Sequence, residues 1–113
     1  MSGNRKLGKR IDQRKAMLRA MVTYLLENGQ IKTTLARAKE VAPLTEKMIT
    51  LSKKNDLAAY RQALAFITKE DVAHKLFTEM NLKYMSRDGG YTRIVRMGPR
   101  KGDAAEMAII QLV

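Results

Sequence analysis

The sequence predicts an α+β domain: about four helices packed with a small mixed or antiparallel sheet that ends in a C-terminal hairpin. Three observations predict it. From Ile11 to Met80, apolar residues recur at spacings of three and four, the period of a helix with one buried face. Past Gly89-Gly90 the chain changes character, and two runs of β-formers, Tyr91–Met97 and Met107–Val113, flank a segment of turn residues. Apolar residues make up 45% of the 113, the proportion of an ordered globular chain, and the length suits one domain with one core. Residues 1–11 read as a basic N-terminal arm and residues 12–113 as a single globular domain.

The first helix is expected from about Ile11 to Asn28. Met17, Leu18, Met21, Val22, Leu25 and Leu26 mark its buried stripe, Asp12 is placed to cap its start, and Asn28-Gly29 is placed to end it in a left-handed turn. Gln30–Thr33 reads as a short strand, after which Thr34 caps a second helix reaching Lys54. Val41, Leu44, Met48 and Leu51 form its stripe, with Ile49 alongside, and Pro43 should kink it. Asp56 is the cap of a short helix over Leu57–Ile67. Thr68 with Asp71 has the spacing of a capping box, followed by Val72, Ala73, Leu76, Phe77 and Met80 at helical intervals. The final hairpin turns through Gly98–Asp103. An isolated hairpin is marginal in water, so it should pack on the helices and pair with the strand near Ile31.

Charge is high and uneven. Lysine and arginine total 22 against 11 acids, a net of +11. That exceeds what solubility asks of a small domain and calls for a polyanionic partner. Residues 1–19 carry seven cations and one anion, with Arg5, Lys6, Lys9, Arg10, Arg14, Lys15 and Arg19 close enough to repel one another unless something neutralises them. No apolar run approaches the roughly 20 residues of a membrane span. No signal-peptide pattern opens the chain, and a cytoplasmic protein is expected.

Chemistry of the enzymatic kind is scarce. The absence of cysteine removes disulfides, thiolate catalysis and cysteine-based zinc sites, and His74, the sole histidine, sits on a polar helix face. Glu70 and Asp71 fall in a helix first turn, where acids complement the dipole, which accounts for them structurally. The glycines form no phosphate-binding fingerprint, and Met17, Met21, Met48 and Met80 fall on core stripes. No catalytic role, cofactor, metal or small-molecule substrate is therefore expected. What remains suits nucleic acid: Arg87, Arg93 and Arg96 around the Gly-Gly-Tyr-Thr-Arg stretch can neutralise phosphates, as can Arg100 and Lys101 at the glycine-flanked turn. Tyr91 is either a platform for an unpaired base or a core aromatic of the strand, and the sequence leaves both open. Charge by itself does not separate RNA from DNA.

The order of segments resembles the family of bacterial large-subunit ribosomal protein seventeen. The resemblance rests on Arg5-Lys6-Leu7-Gly8, Gln13-Arg14-Lys15-Ala16-Met17-Leu18-Arg19, Lys32-Thr33-Thr34 leading to Arg37-Ala38-Lys39-Glu40, Gly89-Gly90-Tyr91-Thr92-Arg93-Ile94, and Arg100-Lys101-Gly102-Asp103 before Met107-Ala108. It implies a structural constituent of the large ribosomal subunit that binds large-subunit ribosomal RNA on the solvent side. The implied position is near the nascent-peptide tunnel exit, beside other ribosomal proteins. By the same carry-over the arm and first helix lie along RNA, joined by Arg37, Arg93, Arg96 and Arg100. A freestanding nucleic-acid-binding protein is the alternative. The densest cations precede and open the first helix instead of lining a recognition helix, which favours backbone contacts over base reading.

Overall fold

The computed structural model describes the backbone of residues 2–113 and the side chains of residues 11–113, so the side chains of Arg5, Lys6, Lys9 and Arg10 of the expected arm lie outside what it describes. The chain runs through α1 (Ser2–Asn28), β1 (Gln30–Thr34), α2 (Leu35–Lys54), α3 (Leu57–Phe66) and α4 (Glu70–Lys75). From α4 it passes directly into a π-helical turn, Leu76–Met80, and the short α5 (Asn81–Lys83), then forms β2 (Thr92–Pro99) and β3 (Glu106–Leu112). The α+β reading holds, with the expected strands in place.

Local chemistry explains most of the boundaries. Gly29 at φ +87° ends α1, its N–H donating to the Leu25 carbonyl at 2.8 Å. Thr34 caps α2 by accepting from Arg37 N, and Asp56 caps α3 by accepting from Ala59 N at 2.7 Å. Helix α2 continues through Pro43, an exposed residue. Two expected caps are not caps. Ile11 is already helical, so Asp12 lies within α1 and Arg14 and Lys15 are not in its first turn. Thr68 does not close a box on α4, whose cap position is Lys69 with no side-chain bond. Its N–H and hydroxyl instead donate to Thr23 Oγ1 at 3.0 and 3.2 Å, and Thr23 in turn donates to the Arg19 carbonyl. Thr23→Val is thus expected to cost about 1–2 kcal/mol in denaturant unfolding, because it strands these partners beside a buried position.

The core joins Val22, Leu25 and Leu26 of α1 to Val41, Met48 and Ile49 of α2, and extends through Leu76 and Phe77 to Ile110 of β3. Met21 and Met80 pack against it, whereas Met17, expected inside, is 36% exposed. It lies at the surface beside Arg14 and Arg37, at the edge of the α1–α2 contact. Thr45 and Ser52 are buried within α2, each donating back to a backbone carbonyl of its own helix, Val41 and Ile49. A hydroxyl satisfied this way can enter a core at little cost.

Strand β3 is central in an antiparallel sheet of order β1-β3-β2. One row of its inner face is Ile31, Ile110 and Ile94, which packs against the helices. The register brings Thr34 and Gly98 to either side of Met107. The start of α2 and the tip of the hairpin consequently lie at the same end of the sheet. A register shift between Arg96 and Gly98, with Gly98 at φ +89°, bends β2 into that tip.

Candidate nucleic-acid interface

The N-terminal half of the candidate surface is built where α1 crosses α2. Arg14 Nη2 lies 2.5 Å from Glu40 Oε2, and Arg37 Nη1 lies 3.9 Å from Glu40 Oε1. Two guanidinium groups thus share one carboxylate. The arrangement pins the helices while leaving excess positive charge on Arg14, whose side chain is 59% exposed. Gln13, Arg14, Met17 and Arg37 line a shallow hollow there, and the exposed Lys15 has no ion-pair partner among the described residues. Arg19 differs. It is half-buried, and its Nε donates to the Phe66 carbonyl at 2.8 Å, tying α1 to the end of α3.

The C-terminal half is the hairpin and the loop before it. Glu46, exposed to neither extreme on α2, holds that loop: Oε1 accepts from Gly90 N at 3.0 Å and Tyr91 N at 3.3 Å, while Oε2 accepts from Thr92 Oγ1 at 3.1 Å. Tyr91 is 2% exposed, edge-on to Tyr84 with ring centroids 5.2 Å apart. Its hydroxyl receives a hydrogen bond from Lys53 Nζ at 3.0 Å and donates to the Arg87 carbonyl. The Lys53 bond draws the phenol below its ordinary range. Of the two roles left open for Tyr91, its burial and its contact with Tyr84 fit the core aromatic.

The remaining cations stay at the surface. Arg87 is exposed and reaches the Gly90 carbonyl at 3.3 Å. Arg93 stands exposed on β2, and with the Gln111 amide oxygen turned toward it, donates from Nε and Nη2 at 3.0 and 2.7 Å. Arg96 is 3.6 Å from Glu106, both well exposed. At the tip Arg100 forms a two-pronged pair with Asp103, at 3.0 and 2.6 Å, beside the exposed Lys101. Because Thr34 and Gly98 flank Met107, Arg37 of α2 and Arg100 and Lys101 of the tip occupy one end of the molecule.

The Arg100 pair lowers the Asp103 carboxyl to about 2 from 3.8, helped by the Ala105 N–H. A depressed carboxylate contributes stability that is present above its unfolded value and lost as pH falls through the folded one. The Asp103 carboxyl should therefore titrate near pH 2 by NMR, and Arg100→Gln should return its midpoint toward the ordinary carboxylate value. An unmoved midpoint in Arg100→Gln would remove the pair as its cause.

Sequence reasoning missed Glu40, Glu46 and Lys53, the groups that hold the cationic elements in place. A helix-surface carboxylate carries no local signal of a partner forty residues away. His74 is exposed. Among the described residues no group of three His, Asp or Glu could hold a metal, and no helix is long and apolar enough to cross a membrane.

The fold and these surfaces define a small, strongly basic α+β protein that carries its cations on helices, on the sheet and on the turns between them. The family profile described as Ribosomal protein L17 matches residues 17–113. A large ribosomal subunit protein bL17 of Clostridium acetobutylicum is 59% identical over 112 residues, 99% of this chain and 98% of the relative. Proteins of the same description from Clostridium tetani and Clostridium botulinum (strain Hall) are 57% identical over 113 residues, the full length of both chains. The chain belongs to the Ribosomal protein L17 family.

Proposed function

We propose that the protein is a structural constituent of the large ribosomal subunit, held there by large-subunit ribosomal RNA. One observation carries this reading: a chain that matches ribosomal relatives end to end bears a net charge of +11, with Arg14, Arg37, Arg100 and Lys101 at one end of a rigid domain. The arm of residues 1–11 extends that charge and precedes the domain of residues 12–113. Arg5, Lys6, Lys9 and Arg10, with Arg14 and Lys15, neutralise backbone phosphates. Arg37, Arg87, Arg93, Arg96, Arg100 and Lys101 add contacts from the folded part. Arg19 contributes through α1's placement, given its bond to Phe66.

The role is assembly and support of a ribonucleoprotein in the cytoplasm, without catalysis or cofactor. The family resemblance supports a place near the nascent-peptide tunnel exit, on the solvent side and beside other ribosomal proteins. The test is sedimentation of the tagged chain from lysate before and after a moderate salt wash, which strips loosely bound nucleic-acid proteins. Persistent migration with the large subunit is expected. A shift to the top of the gradient would favour a freestanding nucleic-acid-binding protein.

A further inference from the structure

The solvent face of the sheet carries charge that no acid among the described residues answers. Register assigns Gln30, Gln111 and Arg93 to one row of this face and Lys32, Ile109 and Val95 to the next, with no acid in either. Lys32, Arg93 and Lys101 have no carboxylate at ion-pair distance among the described residues. Lys32 borders two shallow hollows. One runs toward the hairpin tip along Met97, Met107 and Lys101, and the other toward α1, where Tyr24 stands beside Gln30 and Ile109. Three of the chain's four tyrosines, Tyr60, Tyr84 and Tyr91, meet another aromatic ring inside the fold. Tyr24 meets none among the described residues and is 50% exposed.

An exposed ring next to a lysine, on an apolar strand floor rimmed by uncompensated cations, is the combination that holds single-stranded nucleic acid. Bases stack on the ring whatever their identity, and the cations take the flanking phosphates. An acidic protein surface would satisfy the charge, but an exposed ring set among three cations favours nucleotides, in which base and phosphate come together. We propose that this face is a second RNA-contact surface that takes unpaired nucleotides, with a base on Tyr24 and phosphates on Lys32, Arg93 and Lys101. This rests on the ribosomal RNA reading and deepens it. Contacts of the arm to a phosphate backbone are indifferent to pairing, whereas a base on Tyr24 must be free of its duplex.

The chain contains no tryptophan, so Tyr24→Trp places a single indole reporter at the site. Titrating that full-length variant with isolated large-subunit ribosomal RNA should quench its fluorescence. Tyr24→Ala should weaken binding roughly 5- to 150-fold with an unchanged salt slope, as stacking releases no ions, while Tyr24→Phe stays within about twofold. Lys32→Ala with Lys101→Ala should flatten the log–log salt slope by about 1.4. Absent quenching and an unaltered Tyr24→Ala affinity, in a chain that still binds the RNA, would overturn this surface and leave the broader function standing. Failure of the unaltered chain to bind the RNA would remove both. Quenching by ribosomal proteins freed of RNA, and not by RNA, would make the face a protein contact and overturn the proposal.

Discussion

Glu46→Ala is expected to destabilise the domain by about 2–4 kcal/mol, a large fraction of what a single domain has. The carboxylate accepts from two consecutive backbone N–H groups and a hydroxyl, at 3.0, 3.3 and 3.1 Å. Each bond to a charged acceptor contributes about 1.5–3 kcal/mol when buried, and partial access to water at this loop lowers the sum. The effect extends beyond the bonds themselves. Gly89 and Gly90 have φ of +90° and +66°, a backbone path with little intrinsic preference for one shape, and Glu46 selects it. Freed of Glu46, the loop releases Tyr91 from its place against Tyr84 and Lys53, and with it the entry to β2. Glu46→Gln keeps one acceptor oxygen and should lose about half as much. The midpoint of chemical denaturation checks the magnitude. Amide exchange at Gly90 and Tyr91 checks the mechanism, since unchanged protection there would exclude the clamp even if stability fell.

This clamp marks the limit of what the sequence discloses. Elements governed by residues within one or two turns were legible: the Thr34 and Asp56 caps, the Gly29 stop, the strand at Gln30–Thr34 and the terminal hairpin. Apolar periodicity placed Val22, Leu25, Val41, Met48 and Leu76 inside because a helix buries one face whatever it packs against. What stayed hidden depends on pairings between distant residues. Thr68 has the local spacing of a cap, yet Thr23, 45 residues away, takes its N–H and hydroxyl. The π-helical turn at Leu76–Met80 interrupts a stripe that reads as regular helix, and it ends directly before Asn81, whose Nδ2 donates to the Ser52 and Phe77 carbonyls. A buried amide whose NH2 group reaches carbonyls of two helices while its Oδ1 goes unpartnered has no signature in its neighbours.

The cations divide along the same line. That they exceed the acids was evident from composition, and that Arg100 and Lys101 stand at a turn followed from Gly98 and Gly102. Which ones face inward was not. Arg19 and Lys15 look equivalent in sequence, but Arg19 meets the Phe66 carbonyl because α3 ends against α1, while Lys15 meets water. Tyr91 was balanced between two roles because strand alternation puts an aromatic on either face. Only the packing of Tyr84 and Lys53 decides it. Tyr24 is the converse, an aromatic on a helix that reads as ordinary surface until the sheet register sets Lys32 and Ile109 beside it.

Removal of residues 1–10 should lower affinity for large-subunit ribosomal RNA on the order of a hundredfold near physiological salt and flatten the salt dependence, with the fold retained. The reasoning is electrostatic. The segment contains Arg5, Lys6, Lys9 and Arg10 and no acid. Each phosphate neutralised by a cation releases about 0.7–0.9 of a condensed counterion, so four contacts contribute roughly three to the log–log slope. The core explains why folding should survive: its α1 members begin at Val22, with Leu18 and Met21 packed against it, well beyond the cut. Circular dichroism and the denaturation midpoint of the shortened chain test that part separately. With the fold intact, the difference in slope between the two chains counts the ions released by the segment. A parallel salt dependence would mean that these four cations touch no phosphate, and would shift the RNA contact to Arg14, Lys15, Arg37 and the hairpin tip. A shortened chain whose slope falls by about three, and whose affinity Tyr24→Ala weakens as much as in the full chain, would show the two surfaces acting independently, one on backbone charge and one on unpaired bases.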